Sequence, residues 1–149
     1  MLLEKIQQSF AEEILDMEVR NDRRATLKID PAALVAVTES LCRTHGFRFI
    51  IASAQHTRMG FEIYYHFSLD STGLVLNLHV LLDAVKPEIE SLTSLFEAAN
   101  WIEREMHELF GIVFLNHPNL EELLSEGNWA KGVYPYRKKF KTNGEVHHG

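Results

Sequence analysis

The sequence is poor in cysteine and in long apolar runs, and each shortage excludes a class of protein. Its 149 residues include one cysteine, Cys42, so the chain cannot form an internal disulfide or a four-cysteine iron–sulfur or zinc site. The amino-terminal segment reaches a charge at Glu4 and has no uninterrupted apolar stretch, which argues against a signal peptide or a membrane span. We therefore expect a protein that starts and stays in the cytoplasm.

An excess of positive charge is also missing. The formal net charge is -6, which is unlike the basic surface of a nucleic-acid-binding protein, so we expect no nucleic-acid partner. Hydrophobic residues make up 46% and charged residues 24% of the chain, as in ordinary globular domains. A length of 149 residues suits one such domain.

The spacing of apolar residues predicts an α+β fold. Apolar side chains three and four residues apart predict one helix over residues 2–18, and Asp30 and Gly46 mark the ends of a second. Three segments alternate as strands do (RATLKID, GFEIYYHFSL and LVLNLHVLLD), and FRFIIAS is predicted as a further strand. DSTG predicts a hairpin turn between GFEIYYHFSL and LVLNLHVLLD. We expect a mixed or antiparallel sheet of about four strands packed on two to three helices, as a domain over residues 1–127. Residues 128–149 are predicted to form an extended carboxy-terminal tail.

A third helix is predicted through WIEREMHELFGI, ending at Gly111, with Ser91 or Thr93 as its amino-terminal cap. The pattern places Trp101 and Glu105 on the packed side of this helix, where a carboxylate is costly unless it has a partner. On its surface, Arg104 and Glu108 are four residues apart and can pair.

Three interpretations of this acidic helix remain open from the residues alone. It can be an amphipathic helix with solvated glutamates. It can be a metal site of Glu103, His107 and His117, although the H-E-x-x-H signature is absent. It can belong to a small freestanding enzyme that uses these residues and Glu105 for acid–base chemistry, although no nucleophile or phosphate-binding glycine loop is nearby. For His117, which precedes Pro118, a hydrogen bond to a neighbouring helix end is the favoured role.

The predicted tail is rich in basic and aromatic residues. From Lys131 to Lys141 there are five basic residues and no acid, with Tyr134, Tyr136 and Phe140 between them. Aromatic and arginine side chains are typical anchors of protein interfaces, and VYPYRK would otherwise expose large apolar groups. The pattern favours a tail that docks on a partner over a solvated terminus.

Together these motifs resemble a known family. AANWIEREMHELFGIVFLNHPNLEELL, followed by VYPYRKKF, resembles the 30-kDa subunit of respiratory complex I (NADH:quinone oxidoreductase) and its relatives in energy-converting NiFe hydrogenases. The resemblance covers most of residues 20–140. It rests on Trp101, Glu103, Arg104, Glu105, Glu108, Leu109, Phe110, Gly111, His117, Pro118, Pro135, Arg137 and Lys138.

The sequence departs from this family at two places. Glu108 stands where the family usually has aspartate, and Glu121 and Glu122 stand where it usually has basic residues. The short length and the segment EGNWAKGVYPYRK look closer to the hydrogenase branch, particularly the Ech type.

The resemblance implies a cofactor-free accessory subunit that docks on the catalytic large subunit in the peripheral arm of a membrane-associated complex. The NiFe or quinone site and the iron–sulfur clusters would lie on other subunits, including an iron–sulfur small subunit, and integral subunits would hold the complex on the cytoplasmic side of the membrane. Arg104 and Glu105 would fix the helix to the domain or to a partner. The docking residues would be Tyr134, Pro135, Tyr136, Arg137 and Lys138.

Alternatives to this hydrogenase-type subunit are the corresponding subunit of NADH:quinone oxidoreductase itself, the freestanding enzyme and a transient assembly chaperone.

Overall fold

The computed structural model describes residues 2–120, 134–142 and 145–148, and of residues 139–148 only the backbone. The helices of this part of the chain are α1 (Leu2–Ser9), α2 (Leu34–Glu39) and α3 (Ala98–Phe110). Its strands are β1 (Ile14–Asn21), β2 (Arg24–Ile29), β3 (Arg48–Thr57), β4 (Gly60–Leu69), β5 (Leu74–Leu82), β6 (Glu88–Glu90), β7 (Val113–Leu115), β8 (Lys139–Thr142) and β9 (Glu145–His148). No helix in the described ranges is both long and apolar enough to cross a membrane.

Five strands form one mixed sheet in the order β1-β2-β5-β4-β3. Strand β1 pairs antiparallel with β2, and β2 pairs parallel with β5, with Leu27 opposite Leu78. Two smaller pairs are separate from this sheet: β6 and β7 are parallel, and β8 and β9 are antiparallel. The predicted α+β class, with a mixed sheet and three helices, is confirmed.

The chain divides into two compact units, the first built from residues Met1–Ala52 and Ile63–Val80. Strands β2, β4 and β5 bury every second side chain because successive residues of a strand point to opposite faces. The buried hydrophobic side chains of this unit include Ile6, Ala25, Leu27, Ile29, Leu34, Val37, Leu41, Ile63, Tyr65, Phe67, Leu74, Leu76, Leu78 and Val80.

The second unit is built from Ser53–Glu62 and Leu81–Gly149, as far as these residues are described. It contains α3, the β6–β7 pair and the segment Tyr134–Lys138, and these elements carry the residues discussed below. Its buried hydrophobic side chains include Phe61, Ile89, Leu92, Ala99, Met106, Leu109, Phe110, Ile112 and Phe114. The predicted boundary between residues 127 and 128, together with Glu121 and Glu122, lies outside the described residues.

The single helix predicted over residues 2–18 is wrong. Helix α1 stops at Ser9, and residues from Ile14 onward form β1. Its sequence ILDMEVRN alternates apolar and charged residues, the period of a strand, and pairing with β2 decides the outcome: Met17 lies opposite Leu27. The helical spacing is satisfied by chance because several of the same apolar residues fit both periods.

The other turn and cap predictions of the first unit are confirmed. Asp30 Oδ1 accepts a hydrogen bond from Ala32 N at 3.0 Å, where a 3₁₀ turn leads into α2. After α2 the chain continues in a π-helical turn, Ser40–Thr44, and Gly46 follows with φ of 76°. The hairpin turn between β4 and β5 ends at Gly73, whose φ is 75°.

Candidate functional site

The buried side of helix α3 does not include two residues that the sequence pattern placed there, Trp101 and Glu105. Trp101 is 53% exposed and Glu105 is exposed, whereas Glu103 and Glu108 are 1% and 4% exposed. The packed side runs through Ala99, Glu103 and Met106, so the expectation of a buried Trp101 and Glu105 is wrong. A helix can turn a carboxylate inward only where hydrogen bonds replace the lost water, and Glu103 has them.

Glu103 is held by the chain that precedes the helix. Ser91 Oγ donates a hydrogen bond to Glu103 Oε1 at 2.5 Å, and the Leu92 backbone N–H donates to Glu103 Oε2 at 2.8 Å. Thr93 N in turn donates to Ser91 Oγ at 3.0 Å. The capping role predicted for Ser91 or Thr93 is wrong, because the residue before α3 is Glu97, which makes no side-chain capping bond.

His117 contacts both this carboxyl group and the first turn of α3. Its Nδ1 accepts from Asn119 N at 2.9 Å, so the ring is neutral and Nε2 carries the proton that it donates to Asn100 O at 3.1 Å. The predicted bond of His117 to a helix end is confirmed. Its Nε2 also lies 3.8 Å from Glu103 Oε1.

Burial shifts the pKa values of both groups toward their neutral forms. It raises the pKa of Glu103 to about 7, against the hydrogen bonds from Leu92 and Ser91. It lowers the pKa of His117 below the ordinary 6.5, against the bond to Asn100. Glu103 and His117, whose nearest side-chain atoms are 3.8 Å apart, therefore do not form a full ion pair at neutral pH.

The structure does not assemble the four residues proposed for a freestanding enzyme. The side chains of Glu103 and His117 are 1% and 0% exposed, Glu105 lies on the exposed side of α3, and His107 Nδ1 bonds to Ile112 O at 2.8 Å. Among the described ranges, no group of three or more His, Cys, Asp or Glu side chains could hold a metal ion. Glu103 and His117 are therefore shielded from solvent, whereas Glu105 is not.

Gly111 ends α3, and two features of the structure favour glycine at this position. It adopts the left-handed conformation, with φ of 78°, and its N–H bonds to His107 O. A Cβ atom at this position would also lie 2.7 Å from Arg137 Nη2 and 2.8 Å from Tyr134 Cε2. Any larger residue would both strain the backbone and displace these two side chains.

Arg137 lies against the end of the same helix. Its guanidinium carbon is 4.6 Å from the centroid of the Tyr134 ring and 5.0 Å from that of the Phe61 ring. Its Nε donates to Phe110 O at 2.7 Å, which satisfies one of the last carbonyl groups of α3. Arg137 is thus a carboxy-terminal cap for α3 that comes from 27 residues further along the chain.

The backbone on either side of Arg137 makes two more attachments within the second unit. Tyr136 N donates to Leu109 O at 3.1 Å, and Lys138 N donates to His56 Nδ1 at 2.9 Å. The His56 ring stacks on Phe61, with centroids 4.3 Å apart. Nothing in the sequence indicates His56, because it lies 82 residues from Lys138.

The five residues predicted to dock on a partner therefore differ in what they present to solvent. Tyr134 and Arg137 are half-buried against the end of α3, whereas Pro135, Tyr136 and Lys138 are exposed. Tyr136 keeps one ring edge on Phe110 and remains 58% exposed. The remaining motif residues with described side chains are Arg104, which is half-buried on α3, His117, and the exposed Pro118.

Comparison with known proteins identifies the class to which this fold and these motifs belong. Residues 27–146 match the family described as the respiratory-chain NADH dehydrogenase, 30 Kd subunit. The match extends over most of the 149 residues, and the chain belongs to this family.

Individual relatives come from more than one kind of enzyme. A subunit of the NADH-quinone oxidoreductase of Xanthobacter autotrophicus is 34% identical over an alignment of 127 residues, which covers 81% of this chain and 59% of that protein. A subunit of the F(420)H(2) dehydrogenase of Methanosarcina mazei is 41% identical over 80 residues, which are 54% of this chain and 50% of that protein. The chain thus spans only 50% to 59% of the length of these two relatives.

A solved structure shares the fold. A chain of the membrane-bound sulfane sulfur reductase, an archaeal respiratory membrane complex, superposes with a TM-score of 0.77 over 91% of this chain and 81% of that chain. The two sequences are 18% identical, so the likeness concerns the fold alone.

Proposed function

We propose that this chain is an accessory subunit of a membrane-associated, energy-converting oxidoreductase complex and docks on the catalytic large subunit in its peripheral arm. Family membership supports the class of complex, and the exposed side of α3 supports docking. Large aromatic side chains on a rigid helix are typical anchors of protein interfaces, and Trp101 is 53% exposed on a helix that Glu103 and His117 hold in place.

The same proposal assigns the redox centres to neighbouring subunits. The single Cys42 cannot supply a four-cysteine cluster. The NiFe or quinone site and the iron–sulfur clusters would then belong to the large subunit and to an iron–sulfur small subunit. Integral subunits would hold the assembly at the cytoplasmic side of the membrane, and electrons would pass through this chain's partners.

The parent complex on this proposal is of the hydrogenase type, with the quinone oxidoreductase as the alternative. An F(420)H(2) dehydrogenase relative and a sulfane sulfur reductase chain of the same fold support a parent complex that need not be an NADH:quinone oxidoreductase. The segment VYPYRK, of which Pro135, Tyr136 and Lys138 remain exposed, would extend the docking surface.

Purification from the native host tests this proposal. We would tag the chain, solubilise the membranes gently, and identify co-purifying proteins by mass spectrometry, with metal analysis of the isolated chain as the control. Co-purification of a NiFe-type large subunit and integral ion-pump subunits, with no metal on the chain alone, is the expected result. Recovery of the chain alone with a stoichiometric metal, or a fully active complex assembled without it, would reject the proposal.

A further inference from the structure

Three side chains follow one line along the exposed side of α3. Glu97, Trp101 and Glu105 are four residues apart, so each lies about one helical turn from the next. Glu97 has helical backbone angles (φ -65°, ψ -33°), so the spacing holds across the first turn. All three are exposed, and we call them the Glu-Trp-Glu strip.

The strip is presented by a helix whose position is fixed on its other sides. Glu103 bonds to Ser91 and Leu92, while His117 bonds to Asn100 O, the carbonyl next to Trp101. An exposed indole on such a support needs little further ordering when it binds, which lowers the entropic cost of association. Ala98 is also exposed and adds only a methyl group beside the indole, so one approach to Trp101 stays open.

The chemistry of the strip selects a cation. The face of an indole ring attracts a cation more strongly than other aromatic side chains do, and carboxylates one turn to either side add charge-assisted hydrogen bonds. Arginine fits this arrangement better than lysine, because its planar guanidinium can stack on a ring and still donate to a carboxylate in the same plane. The chain uses a related arrangement internally, where Arg137 lies against two aromatic rings.

We propose that the Glu-Trp-Glu strip is the receptor for an arginine side chain of a neighbouring subunit. The inference rests on the proposed docking function and adds the chemistry of the partner: a basic segment whose arginine stacks on Trp101 between Glu97 and Glu105. The strip and the basic segment of the partner carry opposite charges. Their attraction fixes the register of the contact and makes its strength depend on salt concentration.

Site-specific cross-linking in the assembled complex tests the partner directly. We would place the photoreactive p-benzoylphenylalanine at Glu105, one helical turn after Trp101, so that Trp101 and Glu97 stay in the tagged chain. We would then irradiate the host membranes and sequence the cross-linked peptides. The expected attachment is to another subunit, within about one helical turn of an arginine. Attachment to this chain itself, to a segment without arginine, or to nothing in an assembled complex would overturn the inference.

Matched substitutions give an independent measurement. Trp101→Ala should reduce retention of the partner subunits at least about tenfold, as truncation of an interface anchor does. Glu97→Gln combined with Glu105→Gln should weaken retention and also remove most of its dependence on salt concentration. These surface changes leave the fold intact, which circular dichroism would verify.

Two control variants carry equivalent changes at exposed positions that do not belong to the strip. Met59→Ala removes a side chain that is 74% exposed, and Glu12→Gln combined with Glu18→Gln removes two exposed charges. Both should retain the partners like the original chain, and equal losses in test and control variants would overturn the inference. If the unaltered chain co-purifies with no partner, the docking function fails together with the inference; if partners co-purify but the strip variants retain them fully, the inference fails alone.

Discussion

Gly111 and Arg137 occupy adjoining space at the end of helix α3: a Cβ atom on Gly111 would lie 2.7 Å from Arg137 Nη2. The glycine that lets the helix end in a left-handed turn is thus also the residue that makes room for the arginine that caps it. The pairing links a helix end to a segment far along the chain, and four predictions follow from it and its surroundings.

Gly111→Ala should lower the free energy of unfolding by about 2 to 5 kcal/mol, because it combines a left-handed alanine with displacement of Arg137 and Tyr134. Gly73→Ala is the matched control: its φ of 75° is similar, but nothing lies within 4 Å of the added carbon. That variant should show only the backbone cost of about 1 to 2 kcal/mol. Urea denaturation measures both, and equal losses would mean that the space near Gly111 is not limiting.

Arg137→Lys should loosen the segment from Tyr134 to Lys138 although it preserves the charge. Lysine cannot lie flat against Tyr134 and Phe61 while donating to Phe110 O, so we expect a loss of about 2 kcal/mol. Hydrogen exchange of the Tyr136 amide, which bonds to Leu109 O, should then be about 30-fold faster. Lys138→Ala changes an exposed side chain and should leave this exchange rate unchanged, whereas a similar acceleration in both variants would contradict the capping role.

Glu103→Gln should change how stability depends on pH. Burial raises the pKa of Glu103 from 4.5 to about 7, so between these values the folded chain binds more protons than the unfolded chain. Stability contributed by the neutral acid is therefore present below pH 4.5 and declines as pH rises toward 7, by up to about 3 kcal/mol. The variant lacks this decline, because glutamine can accept from Leu92 N and donate to Ser91 Oγ without a charge.

Urea midpoints measured across this pH range give the contribution of Glu103 as the difference between the original chain and the variant. The difference removes the opposing contribution of His56, whose pKa is lowered. His117 also has a lowered pKa, but it lies 3.8 Å from Glu103, so the difference reports Glu103 together with its effect on His117. Glu105→Gln, an exposed glutamate on the same helix, should follow the original chain. Parallel pH profiles for the original chain and Glu103→Gln would show that Glu103 ionises normally.

Acid should release the segment that follows Arg137 by protonating His56. Burial, together with the charges of Arg137 and Lys138, holds the pKa of His56 below 6.5, and its neutral Nδ1 accepts from Lys138 N. The stabilising bond is thus present above pH 6.5 and is lost as pH falls through the lower folded-state pKa. As pH falls below 6.5, the Lys138 amide resonance in a ¹H–¹⁵N spectrum should move toward the chemical shift of an amide that is bonded to water instead of His56.

Two variants separate the acceptor from the ring. His56→Asn keeps an acceptor near the place of Nδ1 and cannot be protonated, so its Lys138 resonance should stay unchanged as pH falls. His56→Leu removes the acceptor, so its Lys138 amide should have the chemical shift of a water-bonded amide at every pH. An unchanged acid response in His56→Asn would assign the transition to another group.

Much of the fold follows from short-range patterns. Strands β4 and β5 lie where strict alternation predicts them, since each buries one face and the turn DSTG fixes their pairing. Strand β1 cannot be predicted in this way, because its apolar residues also fit the period of a helix. Only its pairing with β2 distinguishes a strand from a helix here.

The site is harder to predict because its determining contacts are distant in sequence. The buried position of Glu103 on α3 depends on hydrogen bonds from Ser91 and Leu92, and helical periodicity treats a glutamate as exposed. The family motif draws attention to Arg137, but not to its carbonyl partner 27 residues earlier. The sequence therefore identifies residues of the motif without revealing how they are oriented.

The late position of the arginine cap also sets an order of events during synthesis. Phe110 leaves the ribosome 27 residues before Arg137, an interval of roughly one to five seconds at ordinary elongation rates. During that interval the carbonyl end of α3 lacks the guanidinium that caps it in the finished chain. A newly made chain therefore acquires this closure in a separate, later step, and a protein that binds the bare helix end would have a brief period in which to act.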